Sequence, residues 1–430
     1  MPTRRRFLQS SVVTSAALAT AASARADAGQ KVIVGVIGPG GMGTNHLSLL
    51  GVRKDVEIAY VCDVDTRRLE AAVKVVEKAT GKAPRAVKDM RTVYEDKTVD
   101  AVFITTPDHW HTPAALLALK AGKHVYVEKP VSHNIREGRL LVEAQRKSGK
   151  VVQVGTQSRS TAFLHEAIAR LKAGEIGDIL AAKAWNSQLR GNIGKAKATK
   201  PPKSLDFDTW CGPAPLVEYR PNLLPGRWRW FKAFGAGDIA NDGVHDIDVA
   251  LWGLGIDTHP TRVACLAGKY FFDDDQEWPD TQYAVFEYDL AGKKKQLTFE
   301  QRIWSPYVQE DYENGCAWYG TKGMLVCGHS VGWKLYGPRN KLIAEKRGQV
   351  DLPGHHSNFF ACIRGEAKQP NASALAGHLS ATICHLANIS QQLGRTLTFD
   401  PNSETFPNDR EATALVKRQY REHWGTPRDA

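Results

Sequence analysis

The sequence has little of what would set it outside the ordinary globular class. It has four methionines, no CxxC pair, no internal repeat, no low-complexity tract and, beyond residue 28, no uninterrupted apolar run of membrane-spanning length. Its seven cysteines, at 62, 211, 265, 316, 327, 362 and 384, are too widely spaced for a thiolate metal site. A chain this long builds a core without disulfide staples, so no disulfide framework is expected. The missing apolar run excludes an embedded mature protein. The net charge is +11, yet no helix carries a dense basic face, and nucleic acid is excluded as the expected partner. What remains, 430 residues with 42% hydrophobic and 24% charged, suits two globular domains.

Part of the positive charge is concentrated at the start. Arg4-Arg5-Arg6-Phe7-Leu8-Gln9 precedes an apolar, small-residue run over 11–22, and Ala22-Ser23-Ala24 and Ala26-Asp27-Ala28 offer small-residue cleavage sites. Residues 1–28 therefore read as a twin-arginine export signal, cleaved on the far side of the membrane. That route carries folded proteins, so a periplasmic protein that loads a cofactor before export is expected, with membrane contact only through the signal.

From residue 31 to 157, apolar β-branched runs alternate with helical patterns, and the runs are continuously apolar rather than alternating. Strands of that kind are buried on both faces, as a parallel sheet covered by helices requires. The fold class is α/β: a doubly wound domain over 29–158, then an α+β domain over 159–430. In the latter, runs such as Gln296-Leu297-Thr298-Phe299-Glu300 alternate, the sign of a large, mostly antiparallel sheet with one wet face.

The first strand runs into Gly38-Pro39-Gly40-Gly41-Met42-Gly43 and then a helix. Gly38 permits the tight turn, Gly40 a close approach of backbone to a pyrophosphate, and Gly43 close helix–strand packing; Gly41 and Met42 open the helix whose N-terminus faces the phosphates. About twenty residues on, the second strand ends in Asp63, which suits ribose hydroxyls and repels a 2′-phosphate, so NAD is favoured over NADP. Thr106-Pro107 ends the fourth strand where a nicotinamide would lie.

Thr106-Pro107 followed by His111, then Ala121-Gly122-Lys123-His124 and Glu128-Lys129-Pro130, resembles the Gfo/Idh/MocA family of oxidoreductases, and Gly320-Thr321-Lys322-Gly323 and His356-Ser357-Asn358-Phe359 resemble its second-domain signatures. The resemblance implies that His111 and Glu128 border the cofactor. It also implies that Lys129 is the catalytic or substrate-orienting lysine, and that His245 in Asn241-Asp242-Gly243-Val244-His245-Asp246-Ile247-Asp248 transfers the proton. Asp248, three residues on, shares a helical face with His245 and is expected to orient it. Dehydrogenases of the family usually carry aspartate where this chain has Asn241, and an amide cannot take a proton; either Asp242 or Asp248 takes over, or the reaction differs.

Gln157, Arg159, Trp185, Asn186, Arg227, Trp228 and Trp230, together with Asn241 and Asp242, are candidate substrate contacts, since indoles stack on sugar rings and amides bind hydroxyls. Asp108-His109-Trp110-His111 and His355-His356 lack both HExxH geometry and a cysteine partner, so no metal is expected. The function expected is NAD-dependent hydride transfer to or from a sugar or cyclic polyol. The alternatives are a glycosidase or lyase that retains NAD and oxidises C3 transiently, and a nucleotide-binding sensor without catalysis. An exposed sheet face in the second domain favours a homodimer or tetramer.

Overall fold

A computed structural model describes residues 31–290 and 292–428; the export-signal reading of residues 1–28 lies outside them. The first sheet has six strands, β1 (Val32–Ile37), β2 (Val56–Cys62), β3 (Arg85–Val87), β4 (Ala101–Ile104), β5 (His124–Val127) and β6 (Val152–Val154), in the order β3-β2-β1-β4-β5-β6. All five pairings are parallel. The crossovers are α1 (Gly41–Gly51), α2 (Thr66–Thr80), α3 (Met90–Glu95), α4 (Asp108–Lys120) and α5 (Ile135–Ser148). Every residue of β4 is buried, which accounts for its unbroken apolar sequence. Local sequence sets the helix starts: the Asp65, Asp89 and Asn134 side chains accept from the first-turn amides of α2, α3 and α5.

After α6 (Ala162–Lys172) comes a nine-stranded sheet of β7 (Ile179–Asn186), β8 (Arg262–Gly268), β9 (Thr281–Leu290), β10 (Lys293–Arg302), β11 (Asn314–Gly320), β12 (Met324–Gly328), β13 (Gly332–Gly337), β14 (Lys341–Arg347) and β15 (Leu397–Thr398). The order is β14-β13-β12-β11-β7-β10-β9-β8-β15, with β7 and β10 parallel and the other pairs antiparallel. The short α7 (Phe207–Cys211) lies in a long irregular segment, and α8 (Val244–Leu254), α9 (Leu352–Arg364), α10 (Ala374–Leu393) and α11 (Arg410–Ala414) complete the chain. Side chains of α6, α8 and α10 join the inner face of this sheet in one core. The other face carries Leu266, Tyr283 and Val285, 80%, 47% and 39% exposed.

The two sheets separate near residue 158, but the two cores do not divide there. Phe359 and Phe360 of α9 pack among Val32, Val34, Phe103 and Tyr126 of the first sheet. Beyond α11 the chain also returns to the first domain, where Arg136 N donates to Val416 O at 2.9 Å. Among the described residues, no helix is long and apolar enough to cross a membrane.

Candidate active site

A cleft of 1220 Å³ opens at the carboxyl ends of the parallel strands, lined by Gly38, Gly40, Gly41 and Met42 on one side and by Lys129, Asn241, Asp242 and His245 on the other. Gly38 has φ +74°, and a Cβ there would lie 2.8 Å from Thr106 Cα, so only glycine fits. At Gly43 a Cβ would meet Thr105 Oγ1 at 2.5 Å, which explains the tight seating of α1 against the end of β4. A Cβ on Gly41 would meet nothing within 4 Å, so this turn is open toward the cleft. The N-terminus of α1 has no side-chain cap, leaving its first amides available to an anion.

The fit to a dinucleotide rests on these open amides and on Asp63, which lines the cleft at the end of β2. Burial pushes its carboxyl up to about 6, against the Arg68 guanidinium nearby, so it is largely ionised at neutral pH. Arg68 and Lys88 line the same end, a pair of cations the sequence reading did not weigh against NADP. His111 lies between two carbonyls, Nδ1 at 2.6 Å from Pro130 O and Nε2 at 2.8 Å from Thr106 O. It braces the Thr106-Pro107 turn against Lys129-Pro130. Glu128, also on the cleft wall, accepts from His46 Nε2 at 2.9 Å.

At the other end, Lys129 Nζ donates to the Asn241 carbonyl at 2.5 Å. The Asn241 amide is consumed by its surroundings: Oδ1 accepts from Arg229 Nε at 3.0 Å and Nδ2 donates to Asp238 at 2.8 Å. Asp242 accepts from Arg190 at 2.6 Å. Burial would raise the Asp242 carboxyl, but Lys129 and Arg190 outweigh it and hold it well below the usual range. His245 is pushed the other way, first by burial and then by Lys129 and His329, and stays an uncharged imidazole. Its Nδ1 has no protein partner, and neither do Thr106 Oγ1 and Gln157 Oε1 on the same walls.

Other predicted residues lie elsewhere. Asp248 does not orient His245: its carboxylate takes Arg159 in a two-point pair at 2.7 and 3.0 Å, and neither residue lines the cleft. A helical offset of three put Asp248 beside His245 on paper, but α8 turns it toward the short helix at Gln157–Ser160. Asn186 donates to Asp238 at 2.7 Å behind the cleft wall, and Trp185 is fully buried in the sheet. Trp228 lines the main cleft, whereas Arg227 and Trp230 line an adjoining cavity of 500 Å³.

The sequence reading missed Asp108 and Arg229, which also line the cleft. Asp108 is buried, and that burial pushes its carboxyl up to about 7 against the pull of Arg229 and Lys129. It directly follows Thr106-Pro107, so its position was visible although its use was not. His329, at the end of β12, stacks edge-on to His245 with ring centroids 5.0 Å apart. Among the described residues one cluster has metal-ligand composition, His259, His378 and Glu404. There one carboxylate oxygen accepts from both imidazoles at 2.9 Å and from Arg139, so N–H donors already satisfy it.

Comparisons with known proteins agree with this geometry. Residues 32–156 match the oxidoreductase family model GFO_IDH_MocA, an NAD-binding Rossmann fold, and residues 179–289 and 340–426 match the C-terminal alpha/beta domain model of the same family. Inositol 2-dehydrogenase of Salmonella typhimurium (strain LT2) is 32% identical over 148 residues, 34% of this chain and 43% of that protein. A protein named glycosyl hydrolase family 109 protein, from Saccharopolyspora erythraea, is 34% identical over 126 residues, 28% of each chain. The chain thus spans less than half of these curated relatives. The WlbA dehydrogenase of Bordetella pertussis, solved with NADH and UDP-GlcNAcA, shares the fold with TM-score 0.66 at 20% identity, covering 86% of this chain and 99% of that one. The two family models, over two domains joined at a cleft that holds the Glu128-Lys129-Pro130 segment, make the chain a member of the Gfo/Idh/MocA oxidoreductase family.

Proposed function

We propose that the protein is an NAD-dependent oxidoreductase acting on a CH–OH group of a sugar, cyclic polyol or sugar derivative. The observation that carries this reading is the convergence of Lys129, Asp242 and His245 on the cleft that begins at the glycine turn. A bound nicotinamide would supply the hydride acceptor. Lys129 spends one N–H on the Asn241 carbonyl and keeps two for a substrate hydroxyl. The uncharged His245 takes the hydroxyl proton as the carbon is oxidised. Asp242, held as an anion, offsets the positive charge that this transfer creates. Asn241 is not a base, because its amide is committed to Arg229 and Asp238.

The test is to purify the mature protein without added nucleotide, identify any cofactor released on denaturation by mass spectrometry, and follow nicotinamide reduction with a panel of cyclic polyols and hexoses. Lys129→Ala and His245→Ala are expected to lower kcat/KM by about 10²-fold or more while NAD binding persists. A protein that neither carries nor binds a nicotinamide nucleotide overturns the reading.

A second reading keeps the cofactor and changes the outcome: transient oxidation at C3 acidifies the C2 proton, the C1 substituent leaves, water adds, and the hydride returns to C3. The relative named as a glycosyl hydrolase and the export signal, which would carry the protein away from free NAD, favour it. Stoichiometric cofactor released from the purified protein, with no net nicotinamide reduction, would move this reading ahead. Under either reading the protein is exported to the periplasm and pairs through the open face of the nine-stranded sheet.

A further inference from the structure

The adenosine end of the cleft, marked by Asp63, Arg68 and Lys88, is walled by parts of the chain remote from the dinucleotide fold. Leu205 bridges to Asp65 and Ser204 O accepts from Thr66 N at 3.0 Å, so the irregular segment before β8 is laid over the end of β2. On the opposite side lies residue 424, from the C-terminal tail. The Trp424 indole sits 5.3 Å from that of Trp110, and the Arg91 guanidinium lies 4.5 Å from its ring centroid. Both tryptophans line the cleft beside Met90.

The tail reaches this point as a fastened strap. Arg418 donates to His109 O at 3.0 Å, Tyr420 to Glu137 at 2.7 Å, and Arg421 to Gly212 O at 2.6 Å and to Asp208 at 2.7 Å. These anchors hold the Trp424 indole with one side against the core of the first domain and part of it exposed on the cleft wall. Large aromatic faces beside the ribose-binding carboxylate fit a flat heteroaromatic ring.

Building on the cofactor reading above, we propose that the C-terminal strap, residues 416–426, belongs to the cofactor site, with Trp424, backed by the buried Trp110, forming the wall against which the adenine of the dinucleotide packs. Binding energy from the strap is then realised only while it is fastened, so unfastening it speeds release of the nucleotide. The strap thereby favours a nucleotide that stays bound between turnovers.

The experiment is calorimetric titration of the full mature protein, freed of any carried nucleotide, with NAD and separately with ADP-ribose. Trp424→Ala is expected to weaken both ligands by a similar factor, about tenfold, while Trp424→Phe retains most of the affinity. Arg421→Ala, which unhooks the strap without touching the cleft, is expected to speed NADH release in stopped flow. Should Trp424→Ala fail to fold, Trp424→Leu and Arg421→Ala carry the comparison. ADP-ribose binding unchanged in these variants overturns the proposal, as does a loss confined to NAD, which would assign Trp424 to the nicotinamide end. If the parent protein binds neither ligand, the cofactor reading itself falls, and the strap proposal with it.

Discussion

Asp108 is the carboxylate whose environment differs most from that of Asp242, although both line one cleft. Asp242 is paired with Arg190 and ionised, while Asp108 is buried at the first position of α4 and pushed up to about 7. Two carboxyls driven apart in this way divide the labour of a site: one is a fixed charge, the other exchanges protons near neutrality. Because the folded state raises the Asp108 pKa, its contribution to stability is fully present below the ordinary value of 3.8 and is lost as pH rises through about 7. Asp108→Asn should therefore be more stable than the parent at pH 8 and lose that margin toward pH 5, read as the difference in Tm across that range. A margin independent of pH would mean that Asp108 is already ionised in the fold. At this scale the sequence was a partial guide. Lys129 and His245 were legible because motif and position agreed, and Asp63 because the spacing from the glycine turn is fixed by one βαβ unit. Asp248 misled, since a helical offset says which residues share a face and not what that face meets; it met Arg159.

Among the elements, the β1–α1 turn shows how local chemistry sets the site. Gly38→Ala puts a methyl group into Thr106 at a left-handed φ, so it is expected to weaken NAD binding by about tenfold or more and to lower Tm, with titration and thermal melts as the checks. Gly41→Ala, whose Cβ meets open space, should be tolerated by the fold and isolates the effect of crowding the phosphates. Most of the first domain was readable because strands such as β1 and β4 are apolar throughout and α2 and α5 begin at capping side chains, whereas the short, exposed β3 went unread. The second was read at β7 to β10 and at α6 and α10, with the alternation clearest in β9 and β10. The run from β11 to β14 went unread because its strands mix glycine, cysteine and tryptophan with few β-branched residues, so no period of two stands out. The irregular segment between β7 and α8 carries Trp228 and Arg229 to the cleft without any periodic signal at all.

For the molecule as a whole, the uncovered face of the nine-stranded sheet is the feature that calls for a partner. Leu266 and Tyr283 are neighbours in register on β8 and β9, and Val285 follows two residues on. We propose that this exposed apolar patch on an extended sheet is a site of association. Leu266→Glu combined with Tyr283→Glu is expected to yield monomers by light scattering, with far-ultraviolet circular dichroism unchanged. A parent protein that is already monomeric would remove the argument.

The packing of Phe359 and Phe360 into the first sheet has a consequence for how the chain comes into being. On a ribosome the strands β1 to β6, complete at residue 154, emerge well before the helix at 352–364 that covers part of their apolar side. Until α9 follows, the nascent Rossmann sheet carries apolar surface that Phe359 and Phe360 have not yet covered. Slow translation or a nonsense codon ahead of residue 359 would leave an aggregation-prone fragment and not a usable nucleotide-binding domain.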